Sequence, residues 1–401
     1  MANCVITVAV RTAVGKYLGS LKTVEAQDLG SAVIREAVKR SKLAPEDIGQ
    51  VIMGDVYGYT PNVARCSALL AGIPETVPAY SVDRQCASSL QAIMCAMQEI
   101  GLDDSEIVVA GGVETMSRYL YYLPPTARYE GFRLGNVQLY DTFNHGVTMV
   151  QPPQLYPNLN MGLTAENVAE KYGISRERQD EFALHSQRKA KAAMDKGLFA
   201  AEIVPFEVRL KKESFLFDTD EHPRPNTTLE ALAKQRPVFK ERGTVTAGNS
   251  SGMNDGASAV VMMAEQKAKE RGVNPIARVV AITATGCDPA IMGIGPVSAI
   301  RKALEKAQLT LVNIDLFEIN EAFAAQSLGV LEELGMQPGT KLYERVNVNG
   351  GAIALGHALG NSGTRLVTTL LYELERRGGR YGLVSLCVGG GQGMAMIVER
   401  L

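Results

Sequence analysis

Four residues of this 401-residue chain stand where reactive chemistry could begin: Cys86, Asn320, His357 and Cys387. Cys86 occurs in PAYSVDRQCASSLQAIMCAMQEIG. A short run that reads as a buried strand ends there at Val82, and Leu90, Ile93, Met94, Met97 and Ile100 then recur at the spacing of one helix face. The cysteine therefore falls on a strand-to-helix turn. Unpaired N–H groups and the positive end of the dipole at a helix start stabilise a thiolate, so a cysteine there is expected to ionise more readily than a free one and is a candidate nucleophile. His357 lies in LGHALGNSG, where glycines let the backbone approach a partner closely, and it is one of only four histidines (145, 185, 222 and 357). Cys387, in LVSLCVGGGQG, ends an apolar strand that opens into three glycines, whose N–H groups can turn toward a ligand as oxyanion stabilisation requires. Asn320, in IDLFEINEAFAAQ, follows another apolar strand and precedes a helix.

Taken singly, each has a structural reading: a core cysteine, a solvated loop histidine, a packed strand cysteine, a helix-capping asparagine. Together they are four strand ends, each carrying one polar reactive group beside small residues. His185, within helical sequence, and His222, in a charged loop, keep the ordinary reading.

Composition narrows the class of protein. A hydrophobic content of 46% supports a sizeable core and two or three domains, and a net charge of -2 offers no global field for nucleic acid. The six cysteines (4, 66, 86, 95, 287 and 387) show neither CxxC spacing nor the density of a disulfide framework, which points to a reducing cytosol and a cytoplasmic protein. There is no zinc signature, no leader-like N-terminus and no stretch near the roughly 18 apolar residues of a membrane helix.

The elements that must position these residues alternate in type. Val5–Val10 reads as a strand, Leu29–Arg40 as a helix, Ile48–Val56 and Glu106–Val113 as strands, the pattern of an α/β sheet covered on both faces. From about Tyr119 to Gly243 this rhythm is interrupted. Tyr- and Pro-rich stretches come first, then two helices near Thr164–Tyr172 and Ser175–Lys196, then a charged irregular region. So large an interruption reads as an inserted functional lobe. Strand texture returns at Ala257–Ala264, and the second half then replays the first: Ile34, Arg35, Ala37, Leu43 and Ile48 match Ile300, Arg301, Ala303, Leu309 and Ile314, while Gly101, Gly111 and Gly112 match Gly379, Gly389 and Gly390 at a larger offset. The extra residues are expected in GGAIALGHALGNSG. Packed about a pseudo-twofold axis, such halves would bring the His357 loop and the Cys387 strand end opposite the Cys86 turn. The lobe also gathers Arg209, Lys211, Lys212, Arg224, Lys234, Arg236, Lys240 and Arg242, a concentration suited to phosphates in which about half are expected to have no ligand.

Five segments, CASS (86–89), GNSSGMNDGA (248–257), NEAFA (320–324), NVNGGAIALGH (347–357) and CVGGGQG (387–393), resemble the thiolases, especially the biosynthetic type, in order and spacing along essentially the whole chain. The resemblance implies a five-layered α/β fold of two βαβαβαββ halves, residues 1–120 plus 250–270 and 271–401, with a CoA-binding loop domain at 121–249. It implies a ping-pong Claisen condensation of two acetyl-CoA to acetoacetyl-CoA and CoA, and the reverse thiolysis. Cys86 would take the acyl group while His357 accepts its proton, and Cys387 would protonate the leaving sulfur and then remove an α-proton from the second acetyl-CoA. His357 and a water on Asn320 would form one oxyanion hole, the N–H groups of Cys86 and Gly389 the other. Arg224 would meet the adenine end of CoA, Ser251 the pantetheine and Met161 the acyl group. No metal or prosthetic group is implied, coenzyme A being substrate and product; the partners implied are acyl-CoA and a second or fourth copy of the chain, with no nucleic acid or membrane. Two positions depart from the family pattern: Ala358 replaces the proline that commonly follows the histidine, and Asn160 stands where histidine is common. The rival readings are a 3-ketoacyl-CoA thiolase of broader chain length, a ketoacyl synthase, disfavoured by Cys387 and Asn320, and a non-catalytic acyl-CoA or lipid-binding relative. Two thiols in one pocket also raise the expectation of oxidative inactivation through a disulfide.

Overall fold

The computed structural model describes residues 3–401. Its first half runs β1 (Cys4–Thr12), α1 (Ala26–Ser41), β2 (Gln50–Gly54), α2 (Val63–Ala71), β3 (Ala79–Val82), α3 (Ser88–Leu102) and β4 (Ile107–Thr115). Helices α4 (Met161–Lys171) and α5 (Arg176–Asp195) lie in the interruption, after which β5 (Asn254–Ala264) completes the half. The second half repeats the order with β6 (Ala277–Gly286), α6 (Gly295–Ala307), β7 (Leu316–Ile319), α7 (Ala324–Glu333), α8 (Ser362–Arg377), β8 (Tyr381–Val388) and β9 (Gln392–Arg400).

The strands form one mixed sheet in the order β7-β8-β9-β6-β1-β5-β4-β2-β3, joined at its middle by an antiparallel contact of Val5 with Arg278 and Ile6 with Ala277. Outward from that junction the two sides have the same neighbours. The first is β1-β5-β4-β2-β3; the second is β6-β9-β8-β7, where a parallel bridge between Phe317 and Val346 stands in for the fifth strand. Strands buried on both faces split their side chains by alternation. Val109, Val261 and Met263 face a core under α1 and α2, whereas Val108, Val260 and Met262 face a second core that contains Leu90 and Ile93 of α3, Leu366 and Leu370 of α8, and Val384 and Met396 of the other half. A third core lies between the second half's sheet and α6 and α7. The second core lies on both faces of the middle layer, formed by α3 and α8, so the three cores fill the four interfaces of five layers. Each fully buried Leu, Ile or Val contributes about 1.5–3 kcal/mol, so the central layer is the structural keel of the molecule.

Helix ends test the repeat. Lys42 and Gln308 are left-handed caps of α1 and α6, and Ile48 and Ile314 close equivalent short turns, as their sequence match implies. The pairing of Gly101 with Gly379 is corrected: Gly101 lies inside α3, and the equivalent left-handed caps are Asp103 and Gly378. Gly111 and Gly112 lie within β4, whereas Gly389 and Gly390 lie beyond β8. Glycine identity alone misplaced the register while element order preserved it. The strand before Cys86 also differs from expectation, being the half-buried edge of the sheet rather than a fully buried strand.

Candidate active site

The nucleophile turn, Asp83–Ala87, is tied in a small hydrogen-bonded knot. Asp83 Oδ1 accepts from the N–H of Gln85, which sits at φ +46°, and Ser88 Oγ accepts from the N–H of Arg84 while donating to the carbonyl of Gln85. Arg84 reaches across the halves to Gln392 Oε1 at 2.9 Å. The Cys86 sulfur is left facing the N–H of Gly389 and its own N–H. Those two amides favour the thiolate, but burial outweighs them and pushes the thiol up to about 11, with Glu114 and Asp83 adding repulsion. The expected easier ionisation is therefore corrected: Cys86 rests as a thiol.

His357 is held by its backbone and by both ring nitrogens. Its N–H donates to Asn254 Oδ1 at 2.9 Å, and Asn254 Nδ2 in turn donates to the Gly15 carbonyl. The preceding Gly356 has φ +96°, and a Cβ there would lie 2.5 Å from the Asn254 carboxamide, so only glycine gives this approach. Ser362 Oγ donates its one hydrogen to the Ala358 carbonyl at 2.7 Å and must therefore accept from His357 Nδ1 at 2.6 Å. That assigns the Nδ1–H tautomer and leaves Nε2 a bare acceptor, 3.4 Å from Asn320 Nδ2. Burial, with the charge of Arg365 second, depresses the imidazole to about 3, so it is neutral at physiological pH and free to take a proton.

The loop histidine is thus not solvated surface, being 4% exposed. Asn320 is not a helix cap either. The cap of α7 is Phe323, and Asn320 is fully buried, with its Oδ1 unpartnered. Cys387 is fully buried at the end of β8, packed with Met292, Ala322, Phe323, Met161 and Phe239, and burial raises its thiol well above the ordinary value. Glu321 turns away from this region to Ser186, Asn347 and the N–H of Ile353, joining α5 of the lobe to the second half.

Cys86, His357 and Gly389 line one largely apolar cleft of about 450 Å³, with Met161, Asn160, Ser251, Phe239, Phe323 and Met292 among its walls. Neither Cys387 nor Asn320 lines this cleft; Cys387 is fully buried behind it, in a cluster that shares the walls Met161, Phe239, Phe323 and Met292. Asn160, the departure from the family pattern, caps α4 by accepting from the Leu163 N–H. Arg224 lines a neighbouring cavity of about 390 Å³ with Gln187, Gly248 and His222, and Ser250 borders both. His222 is buried there and held down to about 4, which corrects the reading of it as an ordinary loop histidine. Of the basic residues, Arg209 pairs with Glu207 and Lys240 with Glu170, as expected for some of them. Ser362, Asn254 and Glu114 were not singled out from sequence. Asn254 and Glu114 have partners distant in the chain, His357 and Gly360, whereas Ser362 bonds His357 and Ala358 within its own loop.

A thiol and a neutral imidazole acceptor lining one cleft, with backbone donors on the sulfur, are the equipment of covalent acyl transfer. The comparisons with known proteins agree. The family described as Thiolase, N-terminal domain, matches residues 4–266, and Thiolase, C-terminal domain, matches 273–400. The chain is 49% identical over 403 residues to an acetyl-CoA acetyltransferase of Escherichia coli (strain K12), covering 100% of both. The crystal structure of the Bacillus anthracis acetyl-CoA acetyltransferase superposes with TM-score 0.95 at 46% identity, over 100% of this chain and 99% of that one. That of human mitochondrial 3-ketoacyl-CoA thiolase in complex with CoA gives 0.92 at 44%, over 100% and 98%. The chain belongs to the thiolase family and is an acyltransferase with the thiolase fold.

Proposed function

We propose that this thiolase is an acetyl-CoA C-acetyltransferase that joins two acetyl-CoA into acetoacetyl-CoA and CoA, and runs the reverse cleavage, through an acyl group on Cys86. The observation that carries the reading is the single cleft shared by Cys86, the bare Nε2 side of His357 and the N–H of Gly389. Because the thiol is raised and the imidazole neutral, the proton leaves Cys86 for Nε2 as sulfur attacks the thioester, and no standing ion pair precedes it. The charge that develops on the thioester oxygen falls to the N–H groups of Cys86 and Gly389, where losing one such donor typically costs about a hundred- to a thousandfold. Cys387, resting as a thiol, gives its proton to the departing CoA sulfur. The thiolate so formed takes the α-proton of the second acetyl-CoA, whose carbanion attacks the acyl group on Cys86 as that sulfur recovers its proton from His357. The enolate oxygen meets the newly formed Nε2–H and a water held by Asn320, whose Nδ2 lies 3.4 Å from Nε2. Every proton in this cycle passes between groups of this chain and the substrates.

In this reading residues 121–249 form a lobe that holds CoA, with Arg224 at the phosphate and adenine end, Ser251 along the pantetheine and Met161 against the acyl group; residues 1–120 with 250–270, and 271–401, are the two catalytic halves. Support comes from the neighbouring cavities, one lined by Arg224, the other by Ser251 and Met161, with Ser250 bordering both, and from the CoA held by the human relative named above. The reading includes a cytoplasmic protein in a dimer or tetramer; no helix among the described residues is long and apolar enough to cross a membrane. A second reading, thiolysis of longer 3-ketoacyl-CoA, is favoured by the apolar lining and size of the cleft. Loss of acetoacetyl-CoA absorbance on adding CoA to reduced protein tests the first, and a kcat/KM series over 3-ketoacyl chain length decides between them. No turnover with any member of the series overturns both.

A further inference from the structure

Glu114, the penultimate residue of β4, is fully buried and takes no part in the steps above. Burial, with Asp55 second, pushes its carboxyl up to about 8, and the group collects four donors from three separate segments. Oε1 accepts from the Tyr57 N–H at 3.2 Å and the Tyr119 hydroxyl at 2.7 Å; Oε2 accepts from the Val56 N–H at 3.2 Å and the Gly360 N–H at 2.8 Å. Gly360 belongs to the loop that carries His357. Tyr57 lines the cleft, and its hydroxyl is 3.2 Å from Oε1 of Gln85, the residue before Cys86. One carboxylate therefore spans the two sides of the reacting pair, from the nucleophile turn through Gln85 and Tyr57 to the base loop through Gly360. The crossing leaves no slack: a Cβ on Gly112 would lie 2.0 Å from the Gly360 carbonyl, and one on Gly360 would lie 2.7 Å from that of Val113. With both oxygens already accepting twice, any replacement lacking one acceptor oxygen must release at least one of the segments.

We propose that Glu114 is a positioning residue that sets the distance between Cys86 and His357 by bolting the base loop of one half to the nucleophile side of the other. The inference rests on the acyl-transfer reading and specifies how its two groups are kept in register. Displacing a reacting group by about 1 Å can cost about a hundredfold in rate while leaving substrate contacts elsewhere intact, so the signature is a loss in kcat without a matching rise in KM. Neither Glu114 nor Tyr119 borders either cavity assigned to CoA.

The test measures acetyl transfer from acetyl-CoA to Cys86, by rapid quench and intact mass, in native protein and in Glu114→Gln at a temperature where both are folded by circular dichroism. The expected result is a fall of about a hundredfold in the acylation rate with KM for acetyl-CoA within about threefold of native. An acylation rate within about twofold of native, even with a lowered melting temperature, makes Glu114 only a fold-stabilising group and overturns the proposal. Should Glu114→Gln fail to fold, Tyr57→Phe cuts the same chain of contacts beyond the carboxylate. A fall of about tenfold with KM unchanged supports the proposal, and a native rate overturns it. Acetylation of the native protein upholds the acyl-transfer reading whatever the variants do, so the two ideas fail separately.

Discussion

Cys86, Cys387 and His357 all rest uncharged because burial disfavours each ion more than its surroundings favour it, and the division of labour follows from that. Cys86→Ser is expected to abolish the acyl-enzyme, a loss of roughly 10⁴-fold or more, whereas Cys387→Ala should still accept an acetyl group but fail to exchange α-protons. Intact-mass analysis after incubation with acetyl-CoA reads the first, and deuterium uptake into the acetyl methyl reads the second; an adduct mapped to Cys387 in native protein would reverse the two roles. The imidazole gives a pH prediction of its own. His357 sits near 3 when folded against 6.5 as an ordinary histidine, so between those values the unfolded chain binds more protons. Its contribution to stability is complete above about pH 6.5 and is lost as pH falls toward 3, at roughly 1.4 kcal/mol per unit. His357→Asn carries no such proton, so the melting temperature of the variant should gain on that of the native protein as pH is lowered from 7 to 4. A constant gap between the two curves would refute the buried neutral histidine.

Between residue and molecule stand the turns that aim these groups. Ala358, where the family commonly has proline, has φ -75°, within the range a proline ring imposes, and its N–H makes no hydrogen bond among the described residues. Ala358→Pro should therefore fit the existing backbone and stabilise the protein by about 0.4–1 kcal/mol through the unfolded state, read as a rise in the denaturant midpoint with kcat preserved. A fall in stability would show that the ring meets the packed wall around this buried position. The same loop shows how far sequence reading reaches. Its glycines and lone histidine announced a close backbone approach, and the apolar strands on either side announced where it would begin. The partner approached, Asn254, lies 103 positions earlier; it and Ser362 both stand in segments singled out from sequence, but their bonds to His357 belong to the assembled structure. The thiol of Cys86 failed for a related reason. Helix position is a local property and was read correctly, but burial in the assembled layers is not local, and it carries the larger effect.

At the scale of the whole molecule the fold was legible because it is stated twice. Two weak halves with the same order of elements constrain one another, and the sheet repeats its neighbours outward from the β1–β6 junction. The lobe has no such echo, and its surface poses a different question. Leu120, Tyr121, Leu123, Tyr129, Phe132, Leu134, Val137 and Leu139 are all exposed within twenty residues, in and around a small ribbon that pairs Tyr121–Tyr122 with Tyr140–Asp141. Scattered apolar residues on a surface need no explanation, but eight exposed within twenty residues of one segment make it a candidate contact surface. The proposed dimer or tetramer offers an occupant, a second copy meeting this strip with its own. Replacing Phe132 and Leu134 by lysine together should then halve the particle mass measured by multi-angle light scattering, because like charges would face each other across a self-complementary contact. Acetoacetyl-CoA cleavage should stay within about threefold of native, since neither residue borders either cavity. An unchanged mass would assign the strip to some other partner, and a collapse in activity at constant mass would place it nearer the chemistry than the cleft geometry allows.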